Sequence, residues 1–331
     1  MKLLRSAKFG IYLCALLFSV AARAQTTPPQ QIHVLTLLGR PIQFAVADKQ
    51  GLFTKYGLEV LNDNKKNSDE LRADLAAEKG DVAYLAVDNA VAMVELAHQD
   101  VVIVMGGEGS QNELIAQKDI KSIADLRGKT LIVDAPNTAY ALQMKKILSL
   151  SGLTAGKDYE IKPFGATPQR LIGMREQKEF AGSMLGPPVS LVAKKEGFVS
   201  LGSVQQLIGP YQAAGVFTQR AWAKDHRDRL VAFLSACIEA QRWLLNPANK
   251  QQVIDLLAAQ YHLVPEIAAE DYDISIAHPG GFAKDAQLDL HGFENVLKLR
   301  AEVEGQWGGN PPSPDKYYDP SFYQAALTKA N

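Results

Sequence analysis

The stretch Ile32-His-Val-Leu-Thr-Leu-Leu38-Gly-Arg-Pro-Ile42-Gln-Phe-Ala-Val-Ala-Asp-Lys-Gln50-Gly-Leu-Phe-Thr-Lys-Tyr-Gly57-Leu-Glu-Val-Leu61 decides the fold. Residues 32–38 form a short apolar run, the composition of a strand covered on both faces. Pro41 then opens an alanine-rich helix over 41–50, where a missing N–H costs nothing. Gly57 permits a turn, and residues 57–61 return to strand. Strand, helix and strand in such close succession predict parallel pairing.

The pattern continues. Ser68 is placed to cap a helix through residue 78, with Asp69 and Glu70 at its positive end. A strand over 81–86, a helix over 89–97 and a strand over 101–105 follow. Residues 126–128 close a short helix, and the alternation restarts with a strand over 129–133, a helix over 140–150 and a strand over 159–164. Thr167-Pro168 reads as an N-cap with proline at the first helical position, before strands at 180–185 and 198–202. Beyond Trp222 the chain turns to long helices, at 228–245, 250–261 and 292–304.

These runs predict an α/β fold of two lobes, with parallel-rich sheets, helices on both faces and a ligand cleft between the lobes. Lobe 1 is expected over 31–112 and 215–331, and lobe 2 over 113–214. Segments 110–117 and 210–218 are the crossovers, and the C-terminal helices return to lobe 1. A single large doubly wound sheet is the competing reading.

The first 24 residues read as an export signal. Lys2, Arg5 and Lys8 precede an apolar run over 11–20, and Ala22-Arg-Ala24 offers a cleavage site after Ala24. The run is short for a permanent membrane helix, and Cys14 lacks the small preceding residue expected of a lipid-modified cysteine. Removing the leader takes four basic residues and no acids from a chain of net charge −1, which leaves −5. Such a balance argues against nucleic acid as a partner. Cys237 is then the only cysteine, so no internal disulfide can form. It sits in an apolar helix, where a buried small hydrophobe is expected.

Five stretches resemble the substrate-binding proteins of ABC importers for sulfonates, taurine, nitrate and thiamine-pyrimidine precursors. They are the run from Pro41 through Gly51-Leu-Phe-Thr-Lys-Tyr-Gly57 to Val60, Gly80-Asp-Val-Ala83, Ser122-Ile-Ala-Asp-Leu-Arg-Gly-Lys-Thr130, Asp134-Ala-Pro-Asn-Thr138, and the end from Trp307 to Phe322. Their order over residues 32–325 is more telling than any one piece. The resemblance implies a type II periplasmic-binding fold of the NMT1/THI5-like kind. It further implies a monomer in the periplasm that binds a small solute and partners an inner-membrane permease, without catalysis or cofactor.

Ligands of open parallel sheets sit beyond the carboxyl ends of the strands. That rule selects the strand-to-helix junctions, where unpaired N–H groups and positive dipole ends suit anions. Gly39, Arg40, Pro41, Asn89, Asn137, Thr138 and Gly186 are candidates there. Asp88, Glu108 and Asp134 fall at or near the same places. Asp88 and Asp134 fit two roles, capping a helix or receiving a ligand amine. Arg40 could neutralise an anion or face solvent. Phe44 and Tyr211 could wall the site or fill the core.

The six histidines lack metal-ligand spacing, and Gly106-Gly-Glu-Gly109 lacks the Gly-Lys-Ser/Thr of a phosphate loop. The alternatives to solute delivery are an enzyme related to thiamine-pyrimidine synthase and a sensor feeding a membrane receptor. The first needs a cysteine-rich iron motif that one mature cysteine cannot supply.

Overall fold

The computed structural model describes residues 28–331 except Leu38 and Pro279, so the leader and its cleavage site lie outside the described residues. The first segment runs β1 (Gln30–Thr36), α1 (Ile42–Lys49), α2 (Leu52–Lys55), β2 (Leu58–Asn64), α3 (Ser68–Ala76), β3 (Val82–Ala86), α4 (Asp88–Ala97) and β4 (Val101–Met105). The second runs β5 (Glu113–Ala116), β6 (Thr130–Val133), α5 (Ala139–Ser149), β7 (Glu160–Pro163), α6 (Thr167–Glu176), β8 (Phe180–Leu185), α7 (Val189–Lys195), β9 (Val199–Ser203) and α8 (Val204–Leu207). The third runs β10 (Ala214–Gln219), α9 (Arg220–Asp225), α10 (Arg227–Leu245), α11 (Lys250–Tyr261), α12 (Pro265–Asp271), α13 (Leu290–Glu304) and α14 (Pro320–Lys329).

Two five-stranded sheets result, ordered β2-β1-β3-β10-β4 and β7-β6-β8-β5-β9. Two sheets, rather than one, answer the open question of architecture. β1 pairs in parallel with β2 and β3, and β6 with β7 and β8. β10 runs antiparallel to β3 and β4, and β5 to β8 and β9. Both antiparallel strands lie in the segments expected only as crossovers. The reason is geometric: a chain leaving one sheet at its carboxyl edge reaches the other sheet at that same edge, and must run back against its strands.

Apolar alternation explains the packing. One face of the first sheet buries Ile32, Val34 and Val104 with Phe44, Phe53 and Phe233 of α1, α2 and α10. Its other face joins a core that continues to Leu131 and Val133 of β6 and to α5 and α13. A third cluster, with Ile132, Leu171 and Phe180, lies between the second sheet and α6 and α7. Cys237, fully buried in the first of these cores, is the small hydrophobe its helix suggested.

Two local expectations need correction. Asn67, not Ser68, caps α3, its Oδ1 accepting from Glu70 N at 2.8 Å. Thr167 lies inside α6 after the N-cap Ala166, whose carbonyl accepts from the Arg170 backbone N–H at 3.1 Å, while the Thr167 hydroxyl accepts from Arg170 Nη2 at 3.1 Å instead of capping. The C-terminal helices also divide: α10 packs on α1 and α14, whereas α13 lies on α5, with Lys145–Glu304 and Lys146–Glu302 pairs of 2.6 Å. Among the described residues, no helix is long and apolar enough to cross a membrane.

Candidate ligand cleft

Five helix N-termini open onto one cavity of about 140 Å³. Pro41, Ile42 and Gln43 bring α1, Ser68 brings α3, Asn89 brings α4, Thr138 to Tyr140 bring α5, and Ala166, Thr167 and Arg170 bring α6. Three belong to helices of the first segment and two to the second, so both sheets contribute. First-turn N–H groups have no partner within their own helix, and their dipoles sum to a positive potential at such a meeting point. An adjoining cavity of about 320 Å³ shares Ile42, Glu108, Tyr140, Thr167, Tyr261 and Phe282 with the first.

Arg170 is the cation lining the first cavity among the described residues, and sequence reading missed it. Its side chain is 1% exposed. It donates to Ser183 Oγ at 3.0 Å, Gly165 O at 2.8 Å, Thr167 Oγ1 at 3.1 Å and Met184 O at 3.0 Å. Its guanidinium also lies 5.1 Å from the centre of the Tyr140 ring. Asp134 stands 3.9 Å away, a loose pairing. Asp134 instead accepts from Thr138 Oγ1 at 2.9 Å and, from the first segment, Ser68 Oγ at 2.6 Å. Ser68 is free for that bond because Asn67 does the capping.

Glu108 and Asp271 give the opposite charge. Burial, aided by the charge of Asp271, pushes the Glu108 carboxyl up to about 7. Burial lifts Asp271 to about 6, against the hydrogen bond from Ser275 at 2.6 Å. The glycines around Glu108 serve close packing: a Cβ at Gly106 would collide with the Gln287 carbonyl, and one at Gly109 with that of Gly280.

Of the twelve expected residues, Gly39, Pro41, Asn89, Glu108, Asp134 and Thr138 line the cavity, and Gly186 lines the adjoining one. The other five are not among the lining residues. Arg40 is turned onto Asp48 and over the Phe53 ring. Phe44 packs between Phe53, Tyr84 and Phe233 at 5.4 to 6.0 Å. Asp88 is held by Arg300, Asn137 by Arg72, and Tyr211 is 1% exposed in the core.

Besides Arg170, reading by sequence passed over Gln43, Tyr84, Tyr261, Asp271 and Phe282. Gln43 alone carried a signal, since it follows Pro41 at a junction the rule had already selected.

A model of the NMT1-like family matches residues 36–258, and the chain belongs to that family. No curated protein matches the sequence. The fold is similar to the zinc-bound ligand-binding component of an ABC-type import system from Staphylococcus aureus, with TM-score 0.73, 14% identity, and coverage of 90% of this chain and 99% of that one. It is similar to the periplasmic nitrate-binding protein NrtA from Synechocystis PCC 6803, with TM-score 0.74, 15% identity and coverage of 91% and 89%. The desulfurization enzyme DSZB also shares it, at TM-score 0.61, 13% identity and coverage of 91% and 100%. The fold is therefore that of periplasmic binding proteins, the α/β architecture expected from the sequence.

Proposed function

We propose that this protein is a periplasmic solute-binding protein of an ABC importer. It captures a small organic solute between lobe 1 (31–112 and 215–331) and lobe 2 (113–214) and delivers it to a membrane permease. The observation that carries the reading is the convergence of five helix N-termini from both sheets on one cavity. Donors fixed in this way bind a sulfonate, carboxylate or similar acceptor-rich head without reorganising. A solute touching both lobes favours the closed form and shifts the population toward it. Export through a leader cleaved after Ala24 and a monomeric state complete the reading.

The test is a thermal-shift screen of the purified protein with ethanesulfonate, nitrate, benzoate and an aminopyrimidine, followed by recovery of any bound solute. Stoichiometric binding with the solute recovered intact is expected. Steady loss of solute would assign the site to catalysis instead, as the fold shared with DSZB allows.

A further inference from the structure

Glu108 occupies the turn after β4, and its main chain is held on several sides. Its N–H donates to Ala214 O at 3.2 Å, its carbonyl accepts from Ala213 N at 3.0 Å and Gln212 Nε2 at 3.1 Å, and it bridges to Phe282. The side chain thus leaves from a fixed point into the cavity. Among the described residues, its carboxyl has neither a hydrogen bond nor an ion pair. The rings of Tyr84, Tyr140, Tyr261 and Phe282 line the cavity with it. All three tyrosines feel its charge.

Two more groups in that wall lack partners. Gln43 Nε2 and Tyr84 Oη are buried and face each other without a well-formed hydrogen bond, in residues 2% and 7% exposed. Buried polar groups are rarely left so. Here both line a cavity, so an incoming molecule can satisfy them. Glu108 is partly buried, and a carboxylate lining a cavity without an ionic partner draws a positive charge and repels a negative one. Aromatic faces add to the attraction for a desolvated cation. Asp271, 2% exposed in the adjoining cavity, reinforces the sign.

We propose that the solute carries a cationic nitrogen, seated against Glu108 among Tyr84, Tyr261 and Phe282, with an oxygen acceptor that Gln43 and Tyr84 can reach. This rests on the reading of the protein as a solute binder and narrows the solute to an amine or quaternary ammonium. The cavity then carries both signs, Arg170 with the helix tips and Glu108 with Tyr84, Tyr261 and Phe282, while the Tyr140 ring lies against the Arg170 guanidinium.

Calorimetry at pH 8 on three pairs tests it: choline against 3,3-dimethylbutan-1-ol, glycine betaine against 3,3-dimethylbutyrate, and 4-aminobutyrate against pentanoate. In each pair the shape is kept and the positive charge removed. At least one cation should bind about tenfold or more above its carbon counterpart, the scale of a desolvated cation–aromatic contact plus a charge pair. Glu108→Gln should bring that ratio within about threefold without lowering the unfolding midpoint; Phe282→Leu is the second variant, expected to lower the ratio less. Equal binding within every pair overturns the inference, as does a ratio that survives Glu108→Gln. If nitrate or ethanesulfonate binds and no cation does, this inference falls and solute capture stands. If no solute of either kind binds, both fall.

Discussion

Arg300 grips Asp88 through two charge-assisted hydrogen bonds of 2.6 and 2.9 Å, with both side chains fully buried. The same guanidinium donates to the Asn137 carbonyl at 2.9 Å, so one arginine of α13 ties the start of α4 to the segment that opens α5. Removing one member of such a pair strands the other charge in the interior. Asp88→Ala should therefore cost about 3–5 kcal/mol in urea unfolding. A loss below about 1 kcal/mol would mean that water reaches Arg300.

Arg40 invites the opposite expectation. Its partner Asp48 is about half exposed, and pairs of that kind contribute about 0–1 kcal/mol. Arg40→Ala should leave the unfolding free energy within about 1 kcal/mol of wild type and solute affinity unchanged. A marked affinity loss in calorimetry would return this residue to the cleft.

Asp134 places a negative charge among the helix tips. Asp134→Asn keeps the shape and removes the charge, so the tightest-binding anion from the screen should gain about tenfold, roughly 1.4 kcal/mol of relieved repulsion. Weaker anion binding would show that the carboxylate acts chiefly by holding Ser68 and Thr138 in position.

The pH response of the empty protein follows from Glu108 and Asp271. Both carboxyls titrate higher when folded, to about 7 and about 6, so the native state holds more protons than the unfolded chain between about pH 4 and 7. Stability from these groups is greatest at the acid end of that window and falls as pH rises through it. Tyr84, Tyr140 and Tyr261, the other titratable groups facing Glu108, have their pKa values pushed up by burial and stay neutral throughout. Glu108→Gln should be more stable than wild type at pH 8 by about 2 kcal/mol and show a flatter profile. An unchanged slope would mean that the Glu108 carboxyl is as well hydrated in the folded protein as in the unfolded chain.

Ser68 and Asp134 join the two halves of the cleft by a 2.6 Å hydrogen bond, seconded by Arg72 to Asn137 at 2.9 Å. If closure makes these bonds, Ser68→Ala should weaken solute binding about threefold to tenfold, the value of one net hydrogen bond. The radius of gyration should drop on adding solute to wild type. No change in scattering would argue for a rigid cleft.

Much of the fold was legible because it depends on local signals. An unbroken apolar run gave β4, and glycine and proline marked the turns. β5 and β10 were not legible as strands, since each takes its direction from a sheet built by residues far away. The cleft divides in the same way. Gly39, Pro41, Asn89 and Thr138 follow from helix starts, which sequence shows. Tyr261, Asp271 and Phe282 come from the third segment, and only tertiary packing carries them to a wall made by residues more than a hundred positions earlier. Arg40, Phe44 and Asp88 met the junction rule, but Asp48, a ring cluster and Arg300 claimed them first.

The strand order also bears on how the chain assembles. β4 touches the rest of its sheet through β10, whose residues are made more than a hundred positions later. A fragment ending at residue 112 leaves β4 without a neighbour, and a fragment ending at 205 still leaves it so. Completion of the first sheet has to wait for the whole second segment to be made and to turn back. The first sheet thus cannot be complete until residue 219 is made, whereas the second, drawn wholly from residues 113–203, can close before it, so the later-synthesised sheet is the first whose strands are all present.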